Sequence, residues 1–135
     1  MLPPKRTKYR KTQKGRNGGV QSNQPKASLG RYKIISLSST RLRANTIEAV
    51  RRVITRKLKR TGQIWVNVHP SLSVTEKPLE VRMGKGKGAL SYWACRIKRG
   101  QILYEIDGAD ISKVKSAWLL ADAKLPIKTR FCLTS

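Results

Sequence analysis

Acidic residues are scarce in this sequence, and the shortage is most severe in its first third. Seven Asp and Glu stand against thirty Lys and Arg in 135 residues, so the formal net charge is +23. The first acidic residue is Glu48, and residues 1–60 hold eighteen of the basic ones. The first third of the chain therefore cannot fold through ion pairs among its own side chains. A compact chain with this charge repels itself unless a polyanion neutralises it, which predicts nucleic acid, an anionic membrane surface or an acidic protein as partner.

Histidine, cysteine and long apolar runs are also rare. The single histidine, His69, has no nucleophile signature around it, and Cys95 and Cys132 do not have zinc-ligand spacing. We therefore expect no enzyme, no metal site and no cofactor, and small core positions for both cysteines. No run of eighteen apolar residues occurs, which argues against a membrane span. The acid-free N-terminus suits a mitochondrial presequence, but Pro3 and Pro4 disfavour the amphipathic helix that such a sequence needs.

Residues 45–60 have the periodicity of an amphipathic helix. Its apolar face is formed by Ile47, Val50, Ile54 and Leu58. Asn45 and Glu48 resemble a capping box, with Thr40 as an alternative start. Gly62 is the expected stop. The opposite face carries Arg51, Arg52, Thr55, Arg56, Lys59 and Arg60. One side of the helix is thus expected to pack in a core, while the other presents a cationic stripe.

The remainder of the domain is predicted to contain short strands and a second helix. Strands are predicted at 32–37, 63–69, 72–74, 79–83, 92–97, 101–107 and 127–133. The strands at 92–97 and 101–107 are expected to form a hairpin. The second helix is predicted to begin near Asp110 or Ser112, with Asp107 and Asp110 as caps, and to stop at Pro126. Two helices among strands without regular alternation predict an α+β fold with a mostly antiparallel sheet.

One domain with an N-terminal extension fits this length and composition. Residues 1–30 are predicted to be an extended basic arm, which stays disordered or folds on its partner, because they hold few apolar side chains to bury. Residues 31–135 are predicted to form the single α+β domain. The arm residues expected to contact RNA phosphates, or in the case of Tyr9 to stack on bases, are Lys5, Arg6, Lys8, Tyr9, Arg10, Lys11, Lys14 and Arg16. A solvated tail or a targeting segment is the alternative.

Residues 82–88 are the most informative local feature of the sequence. They are Arg82, Met83, Gly84, Lys85, Gly86, Lys87 and Gly88. Glycine lets the backbone approach a ligand closely, and lysine supplies charge for phosphates. The enzyme alternative is a nucleotide-binding P-loop, which fails because that pattern needs Ser or Thr where Gly88 stands. We expect a loop that reaches between RNA strands, with a flexible hairpin tip as the alternative.

Several blocks of the chain resemble one protein family in the same order. They are MLPPKRTKYRK at 1–11, KGR at 14–16, IEA at 47–49 with RR at 51–52, QIWV at 63–66, TEKP at 75–78, VRMGKGKG at 81–88, QILYEIDG at 101–108 and KLPIKT at 124–129. On these residues, which cover nearly the whole chain, the sequence resembles the large-subunit ribosomal protein L-sixteen family of bacteria and organelles. Residues 20–45 depart from the family, which usually has a longer glycine-rich stretch there and a threonine at the start of the helix.

The resemblance implies a function that composition could not supply. It implies a structural protein of the large ribosomal subunit, with large-subunit rRNA, tRNA and neighbouring ribosomal proteins as partners, beside the site that receives aminoacyl-tRNA. The loop at 82–88 would point toward the tRNA. The arm and the helical residues Arg51, Arg52, Arg56, Lys59 and Arg60 would neutralise rRNA phosphates. An extra-ribosomal nucleic-acid-binding or ribosome-assembly protein is the alternative, and a membrane-active basic protein is the third reading. The spread of basic residues over several elements favours RNA.

The resemblance also bears on the compartment. Because the match begins at Leu2, we expect no cleavable leader, and a chain made where it works, in a bacterium or on an organelle genome. The form of residues 80–87 resembles bacterial or mitochondrial members more than plastid ones. The departure at 20–45 favours an organelle, so a mitochondrial ribosome is expected, with the bacterial cytoplasm and the plastid as alternatives.

Overall fold

The computed structural model describes residues 2–21 and 29–134 of the chain. Its elements in chain order are β1 (Tyr32–Ser36), β2 (Thr40–Arg43), α1 (Ala44–Lys57), β3 (Gln63–Val66), β4 (Leu72–Glu76), β5 (Ala89–Ile97), β6 (Ile102–Asp107), α2 (Ile111–Asp122) and β7 (Thr129–Leu133). The predicted α+β class is confirmed. Of the predicted arm, residues 1 and 22–28 lie outside the described part of the chain.

The strands form two antiparallel sheets rather than one. One sheet has the order β3-β6-β1-β7, and the other has the order β2-β5-β4. The predicted hairpin is therefore wrong, because β5 and β6 belong to different sheets. The turn between them is held by β1 instead: Gly100 donates its N–H to the Ser36 carbonyl at 2.8 Å, and Gln101 accepts from the Ser36 N–H at 2.9 Å. A φ of 84° at Gly100 lets the chain turn there and cross to the other sheet.

One hydrophobic core joins both sheets to both helices. The predicted apolar face of α1 is confirmed, since Ile47, Val50, Ile54 and Leu58 are all buried. This helix packs against α2 and touches strands of each sheet. The buried hydroxyl of Tyr104, on β6, donates to the Ile47 carbonyl at 2.9 Å and so fixes the start of α1 over the larger sheet. The inward face of α1 is thereby committed to the core, and its outward face is left to solvent.

The predicted capping box at the start of α1 is wrong. The N-cap is Arg43, which has extended backbone and makes no side-chain cap hydrogen bond, and Thr40 begins β2 instead. The helix continues directly from the strand, so Asn45 lies inside its first turn. Glu48 is free to bond elsewhere on the helix. The helix ends at Lys57, before the predicted 60.

Four further local predictions need correction. Residues 79–83 form no strand, because β4 extends to Glu76 and an irregular segment runs from there to β5. The side chain of Asp110, the N-cap of α2, makes no cap hydrogen bond and pairs with Lys113 at 3.2 Å. Asp107 does not cap α2 either, since it accepts from the Gly108 N–H at 2.8 Å. The helix α2 ends at Asp122, four residues before Pro126. The Asp122 carboxylate accepts hydrogen bonds from the hydroxyl and the backbone N–H of Thr129 at 2.6 and 3.0 Å.

A buried carboxylate holds the chain where the described domain begins. Glu105 accepts hydrogen bonds from the backbone N–H groups of Leu29 and Gly30 at 2.7 and 2.9 Å, and from Asn67 at 2.6 Å. Burial raises the pKa of Glu105, but the bonds from Gly30, Asn67 and Leu29, with the charge of Lys33, outweigh it and lower the pKa. This carboxylate is one of the few acids in the chain, and it anchors the entry to β1.

Candidate nucleic-acid interface

The outward face of α1 and the turn that follows it form a cationic groove of about 410 Å³. It is lined by Arg51, Arg52, Thr55, Arg56, Lys59 and Arg60, and we call it the stripe groove. These are the residues that helical periodicity placed opposite the core, and no acidic side chain lines the groove. Such a surface attracts phosphate oxygens.

Glu48 divides the stripe into two parts. Its carboxylate accepts from Arg51 at 2.6 and 2.9 Å and from Arg52 at 3.1 Å. The hydrogen bond from Arg51, aided by Arg52, lowers the pKa of Glu48 to about 2, and the same bond raises the pKa of Arg51. Arg51 and Arg52 are therefore oriented and partly neutralised. Among the described residues, Arg56 and Arg60 have no such acidic partner, so their full charge faces outward.

The second half of the described arm lies along the smaller sheet. Thr12 donates its backbone N–H to the Ser73 hydroxyl at 3.1 Å, and the two hydroxyls are 3.0 Å apart. Asn17 donates to the carbonyls of Thr40 and Ile97, at 2.5 and 3.0 Å, where β2 begins beside the end of β5. Farther along, the Gln21 N–H donates to the Arg99 carbonyl at 2.8 Å. Residues 12–21 thus follow the sheet instead of projecting from it.

Two arginines that sequence reasoning did not single out hold the arm in place. Arg41 donates to the Gly15 carbonyl at 2.6 Å, and Arg96 donates to the carbonyls of Gln13, at 3.0 Å, and of Lys14. Both side chains come from paired positions on β2 and β5, since Arg41 and Arg96 are register partners. The alternation of inward and outward side chains along β2 and β5 could have predicted that both arginines share one face of the sheet. Their partners could not have been predicted, because main-chain carbonyls of the arm leave no pattern in the sequence.

The arm and the glycine- and lysine-rich loop at 82–88 meet through a pair of lysines. Lys11 donates its ammonium to the Lys87 carbonyl at 2.9 Å, and Lys87 donates to the Thr12 carbonyl at 2.5 Å. At the other side of the loop, Lys77 donates to the Gly84 carbonyl. Two elements separated by more than seventy residues in the sequence therefore form one continuous basic surface.

The loop itself leaves its tip to solvent. Gly84 and Gly86 have φ values of 92° and 91°, and Lys85 between them has a φ of 54°. Arg82, Met83 and Lys85 are exposed, Met83 almost completely at 99%. A Cβ on Gly88 would lie 2.4 Å from the Glu76 carbonyl oxygen, so this glycine is needed where the loop returns to β5. Unlike Lys87, the Lys85 ammonium has no hydrogen-bond partner within the described part of the chain.

The first part of the arm is exposed beyond its anchor. Leu2 packs against the hydrophobic core. The basic residues that follow are exposed, namely Lys5, Arg6, Lys8, Arg10, Lys14 and Arg16. Tyr9 is 69% exposed, and the Lys8 ammonium lies 5.7 Å from its ring centroid. These side chains can reach a partner without disturbing the contacts of residues 12–21 with the sheet.

Few side chains with metal-binding or nucleophilic chemistry occur among the described residues. They contain no group of three or more His, Cys, Asp or Glu side chains placed to hold a metal ion. His69 is exposed, Cys95 is buried in the core as predicted, and Cys132 is half-buried. No described helix has the length and apolar character needed to cross a membrane. What the arrangement can do is bind a polyanion over several connected elements.

Comparisons with known proteins agree on one family. The family model described as Ribosomal protein L16p/L10e matches residues 4–132. The chain is 57% identical to the large ribosomal subunit protein uL16m of Prototheca wickerhamii over 135 residues, which cover all of both chains. It is 51% identical over 131 residues to the large ribosomal subunit protein uL16 of Azorhizobium caulinodans, covering 97% of this chain and 96% of that one. It is 50% identical over 133 residues to the protein of the same name from Aeromonas hydrophila, covering 98% and 97%.

Proposed function

We propose that this chain, which belongs to the ribosomal protein L16p/L10e family, binds large-subunit rRNA and helps to organise the aminoacyl-tRNA site. As a member of that family it is a structural component of the large ribosomal subunit and not an enzyme. The observation that carries the rRNA part is the stripe groove, where five basic side chains line one surface without an acid among them. Phosphate contacts of this kind position a protein on RNA and supply most of its affinity.

The arm extends this RNA surface. Lys5, Arg6, Lys8 and Arg10 are exposed, and residues 12–21 are already tied to the smaller sheet. Phosphates bound by the arm would therefore be held at a fixed distance from the folded domain, which suits a protein that fixes RNA tertiary geometry.

The tRNA part of the proposal rests on the loop at 82–88. Its tip presents Arg82, Met83 and Lys85 to solvent, while Lys87 is turned back onto the arm. A loop with an exposed tip and an anchored stem is suited to contacting a ligand that enters and leaves the ribosome. The rRNA bound by the arm would hold the stem of the loop in place through Lys11 and Lys87.

We place the working protein in a mitochondrial ribosome. The full-length identity of 57% to a uL16m protein exceeds the 50% and 51% to the two bacterial uL16 proteins. The bacterial cytoplasm and the plastid are the alternatives, and the sequence of the rRNA that migrates with the protein distinguishes them from the mitochondrion.

Sedimentation of a tagged copy from lysate at raised salt, with sequencing of RNA in the peak fraction, tests the rRNA part. Migration with the large subunit and its large rRNA is expected, and the RNA sequence identifies the compartment. A tagged copy that stays near the top of the gradient, bound to other RNA or to none, would instead support an extra-ribosomal binder or assembly protein.

Single substitutions in the loop test the tRNA part. Lys85→Ala should leave incorporation into the large subunit intact and reduce tRNA-dependent peptide synthesis, because the Lys85 ammonium is free to contact tRNA. The matched variant Lys87→Ala removes the hydrogen bond to Thr12 and should loosen the loop, measured as faster proteolysis at Lys85 in isolated subunits. If Lys85→Ala blocks incorporation and leaves the synthesis of incorporated subunits unchanged, the loop is an rRNA anchor and not a tRNA contact.

A further inference from the structure

A second groove lies between α1 and α2, next to the stripe groove. It also measures about 410 Å³, and we call it the interhelix groove. It is lined by Val53, Arg56, Lys57, Lys59, Leu120 and Lys124. Its volume lies within the range of about 300 to 1,000 Å³ that is usual for small-ligand sites. Sequence reasoning assigned no role to its floor or to two of its lysines, Lys57 and Lys124.

The groove combines an apolar floor with a cationic rim. Val53 is half-buried, and Leu120 is 49% exposed although it is a large apolar residue. No carboxylate lines the groove, and the nearby Asp122 is occupied by its two hydrogen bonds to Thr129. The groove therefore suits a ligand with a flat apolar body and negative charge at its edge.

We propose that the interhelix groove holds one unpaired nucleotide of RNA, with the base on Val53 and Leu120 and its flanking phosphates on Lys57 and Lys124. Proteins read single-stranded and bulged RNA by taking up bases that have left the stack. An aliphatic floor covers the face of a base, and the long lysine stems extend the apolar surface while their ammonium groups stay at the rim. This inference rests on the proposed rRNA binding and names the part of the RNA that the groove receives.

Continuity with the stripe groove favours RNA over an acidic protein segment. Arg56 and Lys59 line both grooves, so a backbone whose phosphates follow the stripe groove passes directly over the edge of the interhelix groove. One nucleotide turned out of that backbone would reach the apolar floor without a second binding event. An acidic peptide would complement the positive charge of the rim. The two residues shared by both grooves would give it no additional affinity.

Photo-crosslinking in assembled subunits tests the inference directly. Benzoylphenylalanine in place of Leu120 should crosslink to one unpaired rRNA nucleotide. The matched probe replaces Leu119, which is 61% exposed on the same helix but does not line the groove, and it should not reach that nucleotide. A Leu120 crosslink to a protein, to paired rRNA or to nothing would overturn the inference.

Two RNA hairpins that differ by one bulged nucleotide give a second test with the purified full chain at raised salt. Leu120→Ser should weaken binding of the bulged hairpin about fivefold, because the base loses its apolar contact with the leucine, and should leave the unbulged hairpin unchanged. Leu119→Ser should change neither. Lys57→Gln with Lys124→Gln should reduce the preference for the bulge, whereas Lys113→Gln with Lys115→Gln should not.

The outcomes separate this inference from the proposed function. Equal binding of both hairpins by the unsubstituted chain would overturn the nucleotide site and leave rRNA binding intact. Competition by a poly-glutamate peptide that depends on Leu120 would assign the groove to an acidic protein segment. A tagged protein missing from the large subunit would refute the proposed function, and the hairpin comparison would still decide the ligand of the groove.

Discussion

Removing Arg56 and Arg60 together should lower the salt dependence of RNA binding by a defined amount. Both side chains are exposed in the stripe groove, and neither has an acidic partner among the described residues. Each neutralised phosphate contributes about 0.7 to 0.9 to the slope of log K against log salt concentration. Arg56→Gln with Arg60→Gln should therefore reduce the magnitude of that slope by about 1.4 to 1.8.

Arg51 should behave differently although it lines the same groove. Its guanidinium is held by Glu48 at 2.6 and 2.9 Å, so part of its charge is already neutralised. Arg51→Gln should change the slope by less than one phosphate contact does and should also lower the free energy of unfolding, because Glu48 loses its main partner. The two effects, on RNA binding and on stability, are thus separated along one helix.

Filter binding or anisotropy with a fragment of large-subunit rRNA, titrated over a series of salt concentrations, measures the slope. The matched control is Lys115→Gln with Lys128→Gln, an equal loss of charge at two exposed lysines outside the stripe groove that have no acidic partner among the described residues. It should shift the slope by clearly less than the α1 pair. Equal slopes for both double variants would refute the reasoning, because the slope would then report net charge and not contacts in the stripe groove.

Three further predictions concern the folded domain. Because its arginine partners lower the pKa of Glu48 to about 2, the stabilisation from this carboxylate is present above its ordinary pKa and is lost as pH falls toward 2. Glu48→Gln should cost about 1 kcal/mol at neutral pH after allowance for solvent screening, and almost nothing near pH 2, in urea unfolding. Gly88→Ala should destabilise by about 2 kcal/mol because its Cβ meets the chain, whereas Gly18→Ala, with open space around it, should be neutral in the same assay. Burial raises the pKa of Cys95, so a thiol reagent should label Cys132 first, and Cys132→Ser should remove the fast phase.

Periodicity predicted the parts of the fold that depend on burial within one element. The apolar positions of α1 are spaced at three and four residues, and that spacing fixed both its buried face and the stripe groove on the other side. Because the face of an amphipathic helix is a property of its own sequence, no knowledge of its neighbours was needed. Of the five basic residues predicted on this helix, Arg51, Arg52 and Arg56 lie on it. Lys59 and Arg60 follow its end at Lys57 and line the same groove.

Local sequence failed where a contact with a distant element decides the structure. The segments at 92–97 and 101–107 have the pattern of a hairpin, but β1 captures the turn between them and sends them to different sheets. The capping box failed because β2 leads straight into α1, which leaves Glu48 to the arginines one turn later. The contacts of residues 12–21 use main-chain carbonyls, which have no side-chain signature.

The shortage of acids explains how this chain can be ordered and still keep its charge. Arg41, Arg96, Lys11 and Lys87 all donate to main-chain carbonyls and not to carboxylates. A carbonyl orients a cation without neutralising it, so each of these contacts shapes the surface and leaves its full positive charge for phosphates. The acids that are present serve the fold: Glu105 anchors the entry to β1, and Asp122 ties α2 to β7. The internal repulsion that remains can be relieved by an external polyanion, and under the proposed function large-subunit rRNA would be that polyanion.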